Sequence, residues 1–127
     1  MHATAYHGSI RGSSKGEALP LLDPSAELLL SRIATGVREP MRLQLLSALL
    51  RGERSVTELT QLLKRSQPSV SKHLRVLRDQ QLVRTRRDRN RVFYRIAAED
   101  PAGHAAIALL EALEQSLGGR AERRRGG

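Results

Sequence analysis

Side chains suited to recognising a polyanion are concentrated between residues 64 and 95 of this 127-residue chain. Short polar side chains lie near the start of this stretch, and their amide and hydroxyl groups can hydrogen-bond the edges of bases in a nucleic-acid groove. Basic side chains follow them and could reach phosphate oxygens. The polar set is Gln67, Ser69 and Ser71, and the basic set is Lys72, His73 and Arg75.

The net positive charge of the chain is confined to the same segment. It holds eleven basic residues against two acidic ones, Asp79 and Asp88, which gives the segment a net charge of +9. The whole chain also carries +9, so the rest of the sequence is balanced. A general preference for arginine would scatter the charge, whereas this clustering indicates a polyanionic partner, with double-stranded DNA favoured.

Several classes of function are excluded by what the sequence lacks. The chain has no Cys, which rules out disulfides, thiolate metal sites and cysteine catalysis. It has no glycine-rich phosphate loop, no nucleophile elbow and no paired histidine and carboxylate, so we expect neither an enzyme nor a cofactor. No apolar run approaches the roughly 18 residues of a membrane span, and the amino end lacks a signal-peptide layout. We therefore expect a soluble, cytoplasmic protein without a membrane partner.

Helix signals divide the first half of the chain into short elements. Asp23 followed by Pro24 predicts the start of a first helix. Glu39 followed by Pro40 predicts a second helix that runs to about Leu50. Leucines recur at helical spacing in both segments, so each helix is expected to bury one face.

A third helix, a tight turn and a fourth helix form a predicted helix-turn-helix. Ser55 begins a capping box that starts the third helix, and the turn spans residues 64–66. In the fourth helix Val70, Leu74 and Leu77 recur at i, i+4 and i+7, so that face is predicted to be core. The opposite face carries the polar and basic sets, which a recognition helix would present to the major groove.

The hydrophobic period changes after the fourth helix. Residues 82–96 alternate and are rich in strand-forming residues, and Asp88-Arg89-Asn90 suits the turn of a hairpin. A basic hairpin placed directly after a recognition helix is a wing, whose tip could grip phosphates or an adjacent groove. A last helix is predicted to follow Asp100-Pro101. The wing residues that we assign to DNA contact are Arg87, Arg89 and Arg91.

The stretch from Glu39 to Ala97 resembles the ArsR/SmtB family of bacterial winged-helix repressors, and SQPSVSKHLRVL is its most specific part. The resemblance implies a mainly α fold with a small β-hairpin wing, in the order α1-α2-α3-α4-β-β-α5. It also implies a homodimer, joined through the first and last helices, that binds an inverted-repeat promoter operator and usually represses transcription. Two positions depart from the pattern, because many relatives have a glycine where this chain has Gln80-Gln81 and Arg89-Asn90.

Apolar residues in the first and last helices agree with a dimer, because together they offer more apolar surface than a small monomer needs. A two-fold dimer would read two half-sites ~10 base pairs apart. The alternative is that both helices only complete the core of one chain. The residues that we assign to the dimer interface are Leu28, Leu29, Ile33, Ile107, Leu110 and Leu113.

The metal sites known from the family are not reproduced in this sequence. A Cys-Val-Cys stretch of the family corresponds here to Ser55, Val56 and Thr57, whose hydroxyls are poor ligands for soft metals. A second family site begins with Asp-x-His, where this chain has Asp100 and Ala102. We therefore expect no metal site. The weak candidates for a nickel- or zinc-responsive alternative are His2, His7 and His104.

The sequence is expected to divide into a flexible arm (1–18), a DNA-binding and dimerisation domain (19–117) and a disordered basic tail (118–127).

Two alternatives to a sequence-specific repressor of this family stay open. The protein could coat DNA without sequence preference as an architectural protein, or belong to another winged-helix regulator family. His73 could contact DNA or pack beside Val70 and Leu74. An inducer, if one exists, would be an unknown small molecule.

Overall fold

The computed structural model describes residues 23–126, with their side chains as far as residue 118. The predicted arm, with His2 and His7, lies outside the described residues. Within the described range the chain forms five helices and a three-stranded antiparallel sheet. The elements are α1 (Pro24–Val37), α2 (Pro40–Leu49), β1 (Arg54–Ser55), α3 (Val56–Leu63), α4 (Gln67–Asp79), β2 (Val83–Asp88), β3 (Arg91–Ile96) and α5 (Pro101–Gly126).

Local capping chemistry starts the helices where the sequence predicts. The Oε1 atom of Glu39 accepts hydrogen bonds from the backbone N–H groups of Met41 and Arg42 at 2.7 and 3.2 Å. Ser55 and Glu58 form both bonds of the capping box. Ser66 caps α4, but the side chain of Asp23 makes no capping bond to α1. Because the first N–H groups of a helix have no partner within it, these bonds fix where α2, α3 and α4 begin.

The core lies beneath α4. Val70, Leu74 and Leu77 are completely buried, which confirms the predicted inner face of this helix. They join leucines from α2, α3 and the start of the wing in one hydrophobic cluster. Outside α4, the members of that cluster with no exposed surface are Leu45, Leu46, Leu59, Leu82 and Ala106.

The sheet holds one strand that sequence patterning missed. The two residues of β1 pair with β3, Arg54 opposite Tyr94 and Ser55 opposite Phe93, giving the order β1-β3-β2. Two residues are too few to show an alternating pattern, so no periodicity could reveal this strand. The hairpin turn is also tighter than predicted, because Asp88 belongs to β2 and pairs with Arg91.

Two positions where relatives often have glycine adopt a backbone conformation that favours glycine. Gln81 has φ 62° and Arg89 has φ 59°, both in the left-handed region. Left-handed residues other than glycine cost roughly 1–2 kcal/mol each. The surrounding fold therefore imposes the wing geometry on this sequence without the aid of glycine.

The last helix is longer than predicted. Rather than ending at Leu117, α5 continues to Gly126, through a segment that holds four arginines and also three glycines. Its first turn packs closely on the end of the wing, because a Cβ atom on Gly103 would overlap the carbonyl oxygen of Ala97. Among residues 23–126, no helix is both long and apolar enough to cross a bilayer.

The close approach at Gly103 gives a test of how α5 is seated. We expect Gly103→Ala to lower the free energy of unfolding by about 1–3 kcal/mol, because backbone atoms must move to accept the methyl group. Nothing lies within 4 Å of the corresponding position on Gly118, so Gly118→Ala should instead stabilise α5 by about 0.5–1 kcal/mol. Urea denaturation of both variants checks this. Equal stability of the two variants would contradict the described packing of α5.

Candidate nucleic-acid interface

The outer face of α4 exposes three of the six side chains in the polar and basic sets to solvent. The apolar stripe fixes this orientation, since side chains on the opposite side of the same helix must face outward. The hydroxyl of Ser69 is partly engaged, because it donates to the sulfur of Met41 at 3.7 Å. The exposed members of the two sets are Gln67, Lys72 and Arg75, and the half-buried members are Ser69 and Ser71.

His73 is placed differently from its neighbours. Its side chain is only 18% exposed, and its Nδ1 atom lies 3.3 Å from Nη1 of Arg42. The same nitrogen lies 3.9 Å from Oε1 of Glu39. His73 thus points towards α2 within the protein. Its nearest polar partners are therefore Arg42 and Glu39 of α2, and a contact of His73 with DNA stays a prediction.

Arg42 is a functional candidate that sequence reasoning missed. It is 8% exposed, and its guanidinium donates to the carbonyl oxygens of Gly36 and Thr35 at 3.1 and 2.9 Å. The sequence did contain a signal. Arg42 precedes the buried residues Leu45, Leu46 and Leu49 by three, four and seven positions, so helical geometry puts it on their face.

Glu39 supports this junction from the start of α2. Partial desolvation raises the pKa of its carboxyl group, but the hydrogen bonds from the backbone of Met41 and Arg42 and the nearby His73 outweigh it, and the pKa is lowered overall. The carboxylate therefore stays charged at the positive end of α2, where a negative group is favoured.

Two arginines at the base of the wing are neutralised within the chain. Nε of Arg84 lies 2.9 Å from Glu99, and its Nη2 lies 2.8 Å from Asp100. Arg95 binds both carboxylate oxygens of Glu99 at 2.8 Å. The bond from Arg95 lowers the pKa of Glu99 to about 2, so this carboxylate stays ionised at neutral pH. These pairs tie the wing to the segment that leads into α5.

A third wing arginine is held by the loop before β1. Arg86 makes two hydrogen bonds to Glu53, from Nε at 3.0 Å and from Nη2 at 2.7 Å, and they lower the pKa of that carboxyl group. Its guanidinium carbon lies 4.5 Å from the centre of the Phe93 ring, and that of Arg91 lies 4.9 Å from it. Arg91 also donates to the hydroxyl of Ser55 at 3.2 Å. Both guanidinium groups are therefore oriented by Phe93 of the wing and by residues just before or within β1.

Arg87 and Arg89 differ from these arginines. Both are exposed near the tip of the hairpin, and neither forms an ion pair with any residue in the described part of the chain. Together with Lys72 and Arg75 on α4, they leave two groups of available positive charge, one on the helix and one on the wing. Such an arrangement suits a duplex whose groove and flanking phosphates are contacted together.

Ser55, at a position where the family has a metal-binding cysteine, has a structural role in this chain. Ser55 is 1% exposed and caps α3. His104 lies on the exposed side of the first turn of α5. Among the residues described, no three metal-ligating side chains form a group that could hold an ion.

The residues assigned to a dimer interface divide by burial. Ile33 and Leu110 are 8% and 2% exposed within one chain and belong to its core cluster, so they offer little surface to a second copy. Leu28 and Leu113 are 56% and 42% exposed. The half-buried members, Leu29 and Ile107, pack against the core cluster.

Comparisons of sequence agree with this geometry. Residues 39–85 match the family described as bacterial regulatory protein, arsR family. A biofilm growth-associated repressor of Agrobacterium fabrum is 40% identical over 91 residues, which cover 72% of this chain and 76% of that protein. The transcriptional activator HlyU of Vibrio cholerae is 43% identical over 72 residues, which cover 57% of this chain and 65% of that protein.

Comparison of structures leads to the same family. A winged helix-turn-helix DNA-binding domain from Mycobacterium bovis, described as homodimeric and as a possible ArsR-family regulator, superposes with a TM-score of 0.58. It is 31% identical in sequence, and the match covers 80% of this chain and 90% of that domain. The chain belongs to the ArsR family of winged helix-turn-helix proteins and is a DNA-binding transcriptional regulator.

Proposed function

We propose that the protein is a homodimeric repressor that reads an inverted-repeat operator with α4 and holds the flanking phosphates with the tip of its wing. The observation that carries this proposal is the two-sided character of α4. Its inner face is completely buried at Val70, Leu74 and Leu77, while its outer face exposes Gln67 and the basic residues beside it. A rigid helix with short polar side chains can approach base edges closely.

Repression is the effect that we propose, although the relatives include proteins named as a repressor and as an activator. A protein that occupies a promoter blocks access by exclusion and needs no further surface. Neither a metal nor catalysis is part of the proposal. The hydroxyls of Ser55 and Thr57, which stand where the family has cysteines, are poor ligands for soft metals and support DNA binding that chelators do not change.

Base readout by Gln67 is the first prediction. We expect Gln67→Ala to weaken binding to an operator selected from random duplexes by about 1–3 kcal/mol, because a side chain that bonds a base edge is lost. Binding to unrelated DNA should stay the same. Fluorescence anisotropy with both duplexes checks this, and Gln115→Ala on the distant α5 is the matched control. Equal losses on both duplexes would instead favour an architectural protein without sequence preference.

Unequal use of the wing arginines is the second prediction. Arg89 makes no ion pair with a described residue, whereas Arg86 is bound to Glu53. We expect Arg89→Ala to reduce the slope of log K against log salt by about 0.9 for each protomer. Arg86→Ala removes the same charge but should leave the slope nearly unchanged. Titrations at several salt concentrations compare the two, and a larger change for Arg86→Ala would refute this division of the wing.

The dimer is supported by apolar surface that one chain leaves uncovered. Leu109, Leu113 and Leu117 recur every four residues on α5 and are 37%, 42% and 63% exposed. Leu28 and Leu30 on α1, which packs on α5, are also more than half exposed. A second copy related by a two-fold axis would cover this surface with the same surface of its own.

Disruption of that surface is the third prediction. We expect Leu113→Glu to raise the dimer dissociation constant at least a hundredfold, because an unpaired carboxylate in the interface costs about 3 kcal/mol or more. The fold of each chain should persist, since Leu113 is 42% exposed within it. Leu62→Glu, on α3 and 54% exposed, is the control. Analytical ultracentrifugation measures both variants, and an intact Leu113→Glu dimer would rule out this interface.

A further inference from the structure

We propose that Arg42 and His73 are positioning residues that set the angle of the recognition helix α4 against α1, and through it the spacing of the two half-sites that a dimer reads. This inference rests on the proposed function, because half-site spacing has meaning only for a dimer on an operator. Its basis is a junction between three helices. Arg42 on α2 binds the last turn of α1 and the middle of α4 with one guanidinium group.

The chemistry of the guanidinium makes this junction rigid. The group is planar, and its N–H donors point in fixed directions. Nε and Nη2 are bound to the carbonyl oxygens of Gly36 and Thr35, which leaves Nη1 directed at Nδ1 of His73, 3.3 Å away. Because Arg42 is 8% exposed, each of these donors would lose energy if its acceptor moved away.

A second contact, between α1 and the end of α4, prevents α4 from rotating about the bonds made by Arg42. A Cβ atom on Gly36 would overlap the side chain of Leu82 and lie 3.3 Å from that of Leu77, so the end of α1 is pressed against this region. Further along, Nη1 of Arg32 donates to the side chain of Gln81 at 2.7 Å. Two separate points of attachment fix the direction of α4 as well as its position.

The link connects the two surfaces that the proposed function requires. α1 packs on α5, and these two helices carry the exposed apolar surface assigned to the dimer. α4 carries the side chains assigned to DNA. The separation of the two recognition helices must match one helical turn of DNA, ~34 Å. A small change of angle at the junction therefore alters which half-site spacing the dimer accepts.

The test compares two substitutions of His73. In His73→Asn the side-chain oxygen can accept the bond from Nη1 of Arg42 in place of Nδ1, whereas His73→Leu fills the space without an acceptor. Anisotropy titrations use the selected operator, the same operator with one base pair added or removed between half-sites, and unrelated DNA. We expect His73→Leu to lose at least fivefold in its preference for the correct spacing. His73→Asn should keep the preference of the original chain within twofold, and so should the control His104→Asn.

Each result bears on the inference. Equal loss of operator binding in the two His73 variants, with the spacing preference intact, would show that His73 contacts DNA itself and overturn a positioning role. An unchanged spacing preference in His73→Leu would overturn it as well. If that variant fails to fold by circular dichroism, Arg42→Lys serves instead. A lysine at position 42 keeps the positive charge and can donate to a carbonyl of α1, but it cannot make all three contacts of the guanidinium group. We therefore expect Arg42→Lys to weaken the spacing preference as His73→Leu does.

Failure of the proposed function would look different. In that case the original chain would itself show no preference among the operator, its spacing variants and unrelated DNA. The binding of the original chain to the operator and to its spacing variants is therefore measured first. The His73 variants are compared only once the original chain is found to prefer one spacing.

Discussion

Burial of one face of α4 is the constraint on which the rest of the structure depends. Val70, Leu74 and Leu77 have no exposed surface, and each such side chain contributes about 1.5–3 kcal/mol by leaving water. The helix cannot rotate without exposing these residues. Its outer face is therefore set by the core, and side chains such as Gln67 take their direction from packing on the opposite side. Recognition by this protein is in that sense a consequence of its hydrophobic core.

The distribution of charge in the fold differs from its distribution along the sequence. Residues 64–95 carry the entire net charge of +9. Folding brings Glu53, Glu99 and Asp100, all outside that segment, onto three of its arginines. These arginines serve to hold the wing in place, and the charge available for phosphates is smaller and more localised than the sequence indicates. Counting basic residues therefore overestimates the number of phosphate contacts.

The sequence predicts this fold well wherever a local signal governs the structure. The helix starts at Glu39 and Ser55 and the stripe on α4 depend on residues two to seven positions apart, and each is found as expected. Whether the outer face of α4 contacts DNA as assigned stays a prediction. The features that the sequence could not show depend on contacts between residues far apart in the chain. β1 is defined only by its partner strand, and Arg86 and Glu53 are 33 positions apart. The sequence left His73 open between DNA contact and packing, because its partner, Arg42, lies 31 positions away.

The wing shows how distant contacts also override local preference. Gln81 adopts a left-handed backbone that disfavours its side chain. The next residue, Leu82, is completely buried, its N–H donates to Leu77 at 3.0 Å, and its carbonyl accepts from Ala97 at 2.9 Å. Those interactions outweigh a cost of roughly 1–2 kcal/mol at Gln81. The start of the wing is thus anchored on both sides of the turn, so the arginines at its tip extend from a base that the core holds fixed. A glycine at this position would relieve strain, but the direction of the wing would still be decided by the burial of Leu82.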